Sequence, residues 1–423
     1  MSVRKRTWTT SKGEAREAWV VDYVDQAGNR CIQTFERKKE ADAYHATVRV
    51  EVSEGSHTPR SRSITVREAG EAWHAACERH GLERSSLTQY RDHLDLHIYP
   101  YLGAVKLSDL SAPMVRDFSD KLLDGKPAPG STEGKQRSPA LVKKVVSSLG
   151  SLLSDAQERG AINQNVVRVL SSRRKRGQSK KAERRQRGKL KVGVDIPAPT
   201  EIRQLIASLT GRWRPLLLTA IFTGLRASEL RGLRWIDVDL QKSELHVRQR
   251  ADIYNEIGMP KSESGERTVP MPPILTNTLR EWKLKCPRRD TGDKDENGEP
   301  IKALELVFPN GSGNVESLSN ILQRGLQPAM IKAGVTVPGA ADAEGKPTVE
   351  AKYTGMHALR HFYASWCINR RTEGGLELPL KVVSGRLGHS TIAMTADTYG
   401  HLFPRGDDGA ELEAAERQLL SAT

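Results

Sequence analysis

The chain of 423 residues has few cysteines and no long apolar segment. Its four cysteines lie far apart and form no CxxC pair, which excludes a dense disulfide framework and the usual zinc-binding spacing. They are Cys31, Cys77, Cys286 and Cys367. No apolar run has the length that a bilayer requires, and the basic start MSVRKRTWTT is followed by no apolar segment of a signal peptide. We therefore expect a protein of the reducing cytoplasm that is neither secreted nor membrane-spanning.

Positive charge is in excess. Lysine and arginine number 66 against 52 aspartates and glutamates, which gives a net charge of +14 and a pI near 9.6. This balance favours a polyanionic partner, although charge alone does not identify one. Apolar residues recur in periodic clusters despite a mean hydropathy of −0.55, so the sequence predicts two or three folded domains joined by polar connectors.

The first part of the sequence predicts a small strand-rich module over residues 1–60. Ala18–Val24 and Cys31–Phe35 are β-prone runs separated by a turn, which predicts a hairpin, and a helix is expected over residues 39–52. After a polar linker, Thr65 and Glu68 have the spacing of a capping box at the start of a new helix.

A helical domain of four or five helices is expected over residues 64–172. Apolar residues at three- to four-residue steps predict one buried stripe over four helical turns. They are Leu141, Val145, Leu149, Leu152 and Ala156. A basic linker follows over residues 173–194, because the like charges of its first part repel each other and cannot fold alone. Its candidate contacts to a phosphate backbone are Arg173, Arg174, Lys175, Arg176, Lys180, Lys181, Arg184, Arg185 and Arg187.

Residues 195–423 predict a second compact domain that is mainly helical. A β-hairpin is expected around Glu244 to Pro270, and two polar inserts, Pro287 to Pro300 and Pro338 to Thr348, are interpreted as surface loops. The fold class is therefore mainly α with small β elements (α+β), in several domains.

Phosphoryl transfer on DNA needs a nucleophile, donors for the phosphate oxygens and an acid for the leaving oxygen. In the segment TGLRASEL, Gly224 ends an apolar helix, Arg226 stands at the start of the next, and Glu229 follows one turn later. A guanidinium at this place can form paired hydrogen bonds to a phosphate, and Glu229 can orient it. Taken alone, an arginine there more often forms a surface salt bridge.

The segment HALRH places His357 and Arg360 on one face of a helix, so a proton carrier and a cation approach the same atom. A metal site competes with this interpretation, because His357 and His361 have a spacing that zinc ligands use. Ala358 replaces the glutamate base of the zinc motif, however, and no obvious third ligand follows. We interpret His361 as structural.

The segment LGHST predicts a helix that stops at Gly388 and exposes His389 at a turn. Tyr399 follows ten residues after His389. A phenol ionises near a pKa of about 10 and becomes a useful nucleophile only beside a base or cations. By itself Tyr399 would be interpreted as a half-buried aromatic residue.

In this order, TGLRASEL, HALRH, LGHST and TYGHLF resemble the signature of the tyrosine recombinase (phage integrase) family. The resemblance implies that Arg226 and Arg360 clamp the scissile phosphate and that Glu229 supports Arg226. It also implies that His389 hydrogen-bonds the same phosphate and that Tyr399 is the nucleophile.

Two further roles come from the resemblance. His357 matches the histidine beside the second arginine. A lysine on a β-hairpin protonates the leaving 5′ oxygen in this family, and Lys261 in MPKSESGERTVP matches it, with Lys242 as a nearby alternative.

The resemblance implies a site-specific DNA recombinase that integrates or excises a phage or other mobile element through a 3′-phosphotyrosyl intermediate, with no cofactor and no metal. The partners implied are double-stranded DNA at attachment sites, a homo-tetramer on that DNA, and accessory directionality or DNA-bending proteins, in a prokaryotic cytoplasm.

Residues 1–60 resemble an arm-binding module, residues 64–172 a core-binding domain and residues 195–423 the catalytic domain. The segment Ala410 to Leu420 is expected to dock on a neighbouring subunit. The alternatives are a type IB topoisomerase-like enzyme and a non-catalytic DNA-binding regulator.

Overall fold

The structure is a computed structural model that describes residues 1–9, 15–25, 28–53, 59, 63–174, 189–341, 344–403 and 408–421. The chain forms two units, residues 1–186 and residues 187–423. Helices dominate both units and the strands form small antiparallel sheets, which confirms the predicted mainly α fold with small β elements.

The first unit begins with a three-stranded sheet packed against one helix. The strands are Ser2–Thr9, Ala15–Val24 and Arg30–Phe35, and the helix is Lys38–Ser53. The second and third strands form the predicted hairpin, with Trp19 opposite Phe35. Val21, Tyr23, Ala41 and Val48 are the buried core of this part. The first strand was not predicted, because its residues are mostly polar or basic and show no apolar alternation.

One face of this sheet is turned away from the helix and carries cations. Side chains alternate between the two faces of a strand, so Val3 in the core places Arg4, Arg6 and Trp8 on the other face, where all three are exposed. Arg4 lies 3.3 Å from the carboxylate of Asp22 on the middle strand. On this outer face Asp22 therefore neutralises part of the arginine charge, and the indole of Trp8 is exposed.

A second hydrophobic core in the first unit is built mainly from helices. They are Val66–Arg79, Arg84–His93 continued by Leu94–Ile98 and Tyr99–Leu102, Ala112–Asp124, Pro139–Glu158 and Val166–Arg174. The predicted capping box is present, since the Thr65 amide donates to a carboxylate oxygen of Glu68 at 2.7 Å and the Glu68 amide donates to the Thr65 hydroxyl at 3.2 Å. Val145, Leu149 and Leu152 of the predicted stripe are fully buried.

The basic linker expected over residues 173–194 is described only at its ends. Arg173 and Arg174 close the helix Val166–Arg174, and the Lys191 amide donates to the Asp195 carboxylate at 2.9 Å in a turn of the second unit. The remaining candidate DNA contacts lie outside the described residues, and they are Lys175, Arg176, Lys180, Lys181, Arg184, Arg185 and Arg187. No helix in the described ranges is long and apolar enough to cross a membrane.

The second unit has one large core surrounded by short helices. They are Pro199–Ser208, Trp213–Thr223, Ala227–Gly232, Pro273–Lys285, Leu318–Asn320 continued by Ile321–Leu326 and Gln327–Lys332, His357–Ile368, Leu380–Leu387 and Ile392–Tyr399. The last helix of the unit, Asp408–Ser421, has exposed leucines, and none of its described side chains belongs to this core. The helix Trp213–Thr223 lies at the centre of this core, with Leu216, Leu217, Leu218 and Ile221 buried.

Small sheets cover part of this unit. One contains Val238–Asp239, Glu244–Val247 and Arg267–Pro270, and the last two strands pair as the predicted hairpin. The other pairs are Arg250–Ala251 with Ile257–Gly258, Arg289–Lys294 with Pro300–Ala303, and Thr336–Pro338 with Val349–Ala351.

The interpretation of Pro287 to Pro300 as a surface loop is wrong, because most of it forms an exposed β-hairpin. The strand Arg289–Lys294 has glycine and charged residues that disfavour β structure, so pairing across the turn at Asp295 decides its conformation. The second insert, Pro338 to Thr348, connects two paired strands, and residues 342 and 343 in it lie outside the described residues.

Candidate active site

The first motif bends at a glycine and places Arg226 at a helix start. The helix Trp213–Thr223 ends at Gly224, which has a left-handed φ of 61°. Arg226 then precedes the helix Ala227–Gly232, where its amide donates to Glu229 Oε2 at 2.7 Å and its Nη1 donates to Glu229 Oε1 at 2.8 Å. The negative charge of a carboxylate in the first turn of a helix also interacts favourably with the positive end of the helix dipole. Glu229 thus orients Arg226, as the sequence predicts.

Glu229 is bound on its other side by an arginine that sequence reasoning missed. Arg267, on the strand Arg267–Pro270, donates from Nη1 and Nη2 to the two oxygens of Glu229, and both side chains are buried. Burial by itself would raise the pKa of the Glu229 carboxyl, but Arg267 and then Arg226 hold it below its ordinary value. The carboxylate therefore stays ionised between two guanidiniums.

Arg360 is buried where two helices end. From the helix His357–Ile368 its Nη1 donates to the carbonyl of Gly224 at 2.7 Å, and its Nη2 donates to the carbonyl of Leu387 at 2.5 Å. The last carbonyls of a helix lack partners within it and carry partial negative charge, so they bind a cation well. Burial, then the charge of Arg226, lowers the pKa of Arg360 to about 10, which leaves it charged at neutral pH.

These bonds bring the separate motifs together. Arg226 Nη2 donates to the carbonyl of Gly388 at 3.0 Å, beside the Leu387 carbonyl that Arg360 uses. Each guanidinium has five N–H groups, so the bonds made within the chain leave donors for a phosphate.

The third motif turns at Gly388, as predicted. The helix Leu380–Leu387 ends there with a left-handed φ of 62°. His389 follows in a half-buried position, so it is less exposed than the predicted turn implied, because its ring packs beside Thr395 and Tyr399. His389 Nδ1 lies 2.8 Å from the Thr395 hydroxyl, and the ring is parallel to that of Tyr399 with 6.5 Å between centroids. Burial, followed by the charges of Arg360 and other nearby cations, lowers the pKa of His389 to about 4. The free protein therefore holds this ring neutral.

Tyr399 ends the helix Ile392–Tyr399 and is buried, with 1% of its surface exposed. Its hydroxyl lies 2.7 Å from Nδ1 of His361. Burial raises the pKa of Tyr399 to about 12, against the lowering effect of Arg360 and Arg226. The phenol is therefore protonated at neutral pH in the free protein.

A cavity of about 250 Å³ lies beside the two arginines of the motifs. Arg226, His357 and Arg360 line it together, and Leu318 and Leu322 form an apolar wall. His357 and Arg360 thus face the same space, as the spacing of the second motif predicts. His357 is exposed to solvent over part of its surface. Desolvation of the rest of the ring, followed by the charges of Arg360 and Arg226, lowers the pKa of His357. The cavity offers cations and an imidazole on one side and an apolar surface on the other.

Lys261 lies in an exposed segment between the strands Ile257–Gly258 and Arg267–Pro270. The same segment touches the third motif, because a Cβ added at Gly388 would lie 2.9 Å from the carbonyl oxygen of Ser264. Lys242 lies in the turn before Glu244–Val247, where its amide donates to Asp239 at 2.8 Å. The contact with Gly388 therefore favours the Lys261 segment as the neighbour of the motif cluster.

The family models match both units. Residues 197–405 match the phage integrase family, and residues 65–123 match the N-terminal SAM-like domain of phage integrases. The chain belongs to the phage integrase family. The six predicted catalytic residues and Glu229 all lie within the longer match. The six are Arg226, Lys261, His357, Arg360, His389 and Tyr399.

The chain is similar to proteins named as recombinases and integrases. The tyrosine recombinase XerC-like protein of Caldanaerobacter subterraneus subsp. tengcongensis is 32% identical over 237 residues, which cover 51% of this chain and 53% of that protein. The prophage integrase IntR of Escherichia coli K12 is 26% identical, covering 63% and 58%. The chain thus spans little more than half the length of these two relatives.

Solved integrases share its fold. The Tn1549 transposon integrase in complex with a circular intermediate DNA superposes with a TM-score of 0.58 at 16% identity, covering 84% of this chain and 100% of that chain. A lambda integrase dimer bound to a COC′ core site gives a TM-score of 0.51 at 16% identity, covering 95% and 97%.

Two residues of the candidate site, Arg267 and His361, were not predicted to take part in it. His361 was interpreted as structural, because a histidine on an apolar helix carries no signal of its contact across the fold. A signal for Arg267 is present in the sequence, since it follows Lys261 by six residues in the same polar segment. Within the described ranges, no group of three or more His, Cys, Asp or Glu side chains is arranged to hold a metal ion.

Proposed function

We propose that the chain is a site-specific DNA recombinase that breaks and rejoins DNA through a 3′-phosphotyrosyl bond to Tyr399. The observation that carries the proposal is the binding of Arg226 and Arg360 to neighbouring carbonyls, Gly388 and Leu387, beside a cavity that both arginines line. Two guanidiniums fixed at one place can hold the non-bridging oxygens of a single phosphate. Family membership supports the same chemistry.

Each residue then has a role in the transfer. Arg226 and Arg360 stabilise the charge on the phosphate oxygens, and His357 and His389 donate hydrogen bonds to it. Tyr399 attacks the phosphorus, and Lys261 gives a proton to the departing 5′ oxygen. The 5′ hydroxyl then attacks the phosphotyrosine of the partner strand, so the bond energy is kept in the covalent intermediate.

The proposed partner is double-stranded DNA at attachment sites of a phage or other mobile element. A transposon integrase and a phage integrase with this fold were solved with DNA. Exchange of both strands in two duplexes needs four cleavages, and each Tyr399 makes one, so we propose a homo-tetramer on DNA, with accessory directionality or DNA-bending proteins. All four cysteines are free, in accord with action in the cytoplasm of a prokaryotic host.

We propose three DNA-contacting domains and a basic linker that also contacts the phosphate backbone. Residues 195–423 carry the chemistry, residues 64–172 form a core-binding domain, and the basic residues 173–194 connect them. Residues 1–60 form an arm-type module, which the exposed Arg4, Arg6 and Trp8 on one sheet face support. Cations on a flat sheet can contact phosphates, and an indole can pack against sugar or base.

Covalent capture tests the proposal. The purified full chain is incubated with a pool of nicked DNA duplexes of random sequence, and covalent protein–DNA adducts are collected on a denaturing gel and sequenced. The wild type should form adducts that converge on one sequence, and Tyr399→Phe should form none while still binding the recovered duplex.

The same recovered duplex separates the alternatives. Strand exchange between two copies supports the recombinase, whereas relaxation of a supercoiled plasmid without exchange supports a type IB topoisomerase-like enzyme. Sequence-specific binding with no adduct from the wild type supports a non-catalytic regulator and contradicts the proposal.

A further inference from the structure

We propose that His361 is the base that takes the proton from Tyr399 when the phenol attacks DNA. The inference rests on the proposed function and extends it, because none of the motif roles assigns this proton. His361 Nδ1 lies 2.7 Å from the Tyr399 hydroxyl. In the tautomer that carries its proton on Nε2, this nitrogen accepts the phenol's hydrogen bond.

The fold fixes this pair from both sides. His361 directly follows Arg360 on the helix His357–Ile368, so the phosphate clamp and the proposed base are held by one rigid element. The ring of His357 packs edge-on against that of His361, with 4.5 Å between centroids and planes at 87°. Tyr399 is buried at the other side of the bond. The imidazole plane and the phenol oxygen therefore have little freedom to separate.

The other histidines of the site are engaged elsewhere. Nδ1 of His389 is bonded to the Thr395 hydroxyl, and His357 contacts the ring of His361 and lines the cavity beside Arg226. Among the described side chains, His361 makes the hydrogen bond to the Tyr399 hydroxyl. A base within hydrogen-bond distance of the proton that it removes satisfies the first geometric requirement for general base catalysis.

The bound phosphate makes this base stronger. In the free protein burial, then the neighbouring His357 and Arg360, lowers the pKa of His361 to about 4, so the ring is neutral and can accept a proton. A phosphate held by Arg226 and Arg360 brings a negative charge that offsets the cations and favours an imidazolium. Proton removal is thereby coupled to occupation of the site by DNA.

The phenol oxygen forms a bond to phosphorus while its O–H bond breaks, and the proton moves to Nδ1 of His361. The P–O5′ bond breaks with its electron pair on the 5′ oxygen, which takes a proton from the leaving-group acid, Lys261 in our assignment. In the reverse step the 5′ hydroxyl attacks the phosphotyrosine and gives its proton to Lys261, and the imidazolium returns its proton to the departing phenolate.

The test measures the rate of covalent adduct formation by the full chain at saturating DNA, on the duplex recovered by covalent capture. The variant His361→Asn keeps a polar group near the position of Nδ1 but cannot take up a proton at neutral pH. We expect its rate to fall on the order of 100-fold, with DNA binding unchanged. His246→Asn is the matched control, because its ring is bonded to Thr268 on a nearby sheet, and it should retain the wild-type rate.

Fluorinated tyrosine separates a base from a positioning residue. Replacing Tyr399 by difluorotyrosine lowers the pKa of the phenol, so it should restore most of the rate of His361→Asn. It should restore little in Lys261→Ala, which lacks the proposed leaving-group acid. A substrate with sulfur as the bridging 5′ atom should rescue Lys261→Ala instead, because a thiolate leaves without a proton.

Three results overturn the inference alone, provided that the wild type forms adducts. The first is adduct formation by His361→Asn at the wild-type rate. The second is adduct formation by His361→Phe at a rate above that of the wild type. The third is slow adduct formation by His361→Asn that difluorotyrosine does not restore. The second would mean that the hydrogen bond only restrains the phenol before DNA binds. Absence of adducts from the wild type would instead reject the proposed function together with this inference.

Discussion

Arg267 donates two hydrogen bonds to the carboxylate of Glu229, from Nη1 to Oε1 at 3.0 Å and from Nη2 to Oε2 at 2.8 Å. Its Nε donates at 2.8 Å to the carbonyl of Arg386, near the end of the helix that precedes His389. Glu229 in turn binds Arg226. Arg267 thus connects the strand after the Lys261 segment to the phosphate clamp and to the third motif.

The variant Arg267→Lys should loosen this connection, because a lysine keeps the charge but cannot bind both oxygens in a planar fork. We expect the free energy of unfolding to fall by about 1–3 kcal/mol and the rate of adduct formation to fall on the order of tenfold through misplacement of Arg226. Urea denaturation and covalent capture measure the two effects.

Arg248→Lys is the control for Arg267→Lys. Arg248 binds the buried Asp237 at 3.0 Å, but it is half exposed and Arg234 binds the same carboxylate. We expect less than about 1 kcal/mol of destabilisation and an unchanged rate. Equal rates for Arg267→Lys and Arg248→Lys would contradict the positioning role of Arg267.

Gly224 cannot accept a side chain. Its φ of 61° is left-handed, and an added Cβ would lie 2.4 Å from the ring of Tyr363. Gly224→Ala should lower the free energy of unfolding by about 2–4 kcal/mol, from backbone strain and overpacking together. Gly211→Ala isolates the strain, because Gly211 has a φ of 62° and open space around it, and its loss should be about 1 kcal/mol. Similar losses in the two variants would refute the contact with Tyr363.

The sequence predicted the parts of the site that depend on local rules. A glycine that ends a helix places Arg226 and His389 at turns, and three-residue spacing puts His357 and Arg360 on one face. These follow from short-range geometry. The family resemblance predicted that the motifs lie together. The physical reason is that Arg360 of the second motif binds the carbonyls of Gly224 in the first motif and Leu387 in the third.

Contacts across the fold were beyond such rules. His361 and Tyr399 are 38 residues apart, and Arg267 and Glu229 are also 38 apart. No periodicity links residues at that distance. The strands Ser2–Thr9 and Arg289–Lys294 were missed for a related reason, because pairing with a neighbouring strand determines their conformation more than their own residues do.

Acid should destabilise the fold through its neutral histidines. The pKa values of His361 and His389 are lowered to about 4 from 6.5, so the unfolded chain binds protons first as the pH falls. The free energy of unfolding should therefore decrease from pH 6.5 down to about pH 4, and these rings should contribute no slope above that window. Urea denaturation across this range measures it.

The double variant His361→Asn/His389→Asn is the comparison for the acid slope. It should have a shallower slope than the wild type between pH 6.5 and about 4, because the two titrations are removed. Carboxyls with a lowered pKa, such as Glu229, leave a residual slope. Identical slopes in the two proteins would show that these rings are not held neutral in the fold.

The outer face of the N-terminal sheet should contribute to DNA binding and not to chemistry. Arg6→Glu reverses one exposed charge on that face, so it should weaken binding of the recovered duplex and reduce the dependence of affinity on salt. The maximal rate of adduct formation should not change. Lys39→Glu makes the same charge change on the helix of the same module and should have the smaller effect on binding. Equal effects would indicate only a loss of net charge.

Mass spectrometry of the covalent adduct tests the central claim most directly. Trypsin releases residues 387–405 as one peptide, in which Tyr399 is the only tyrosine. After nuclease digestion, we predict that this peptide carries a nucleotide attached through its 3′ phosphate to the Tyr399 oxygen. A nucleotide on any other residue, or unmodified peptide throughout an adduct that survives denaturation, would contradict the account.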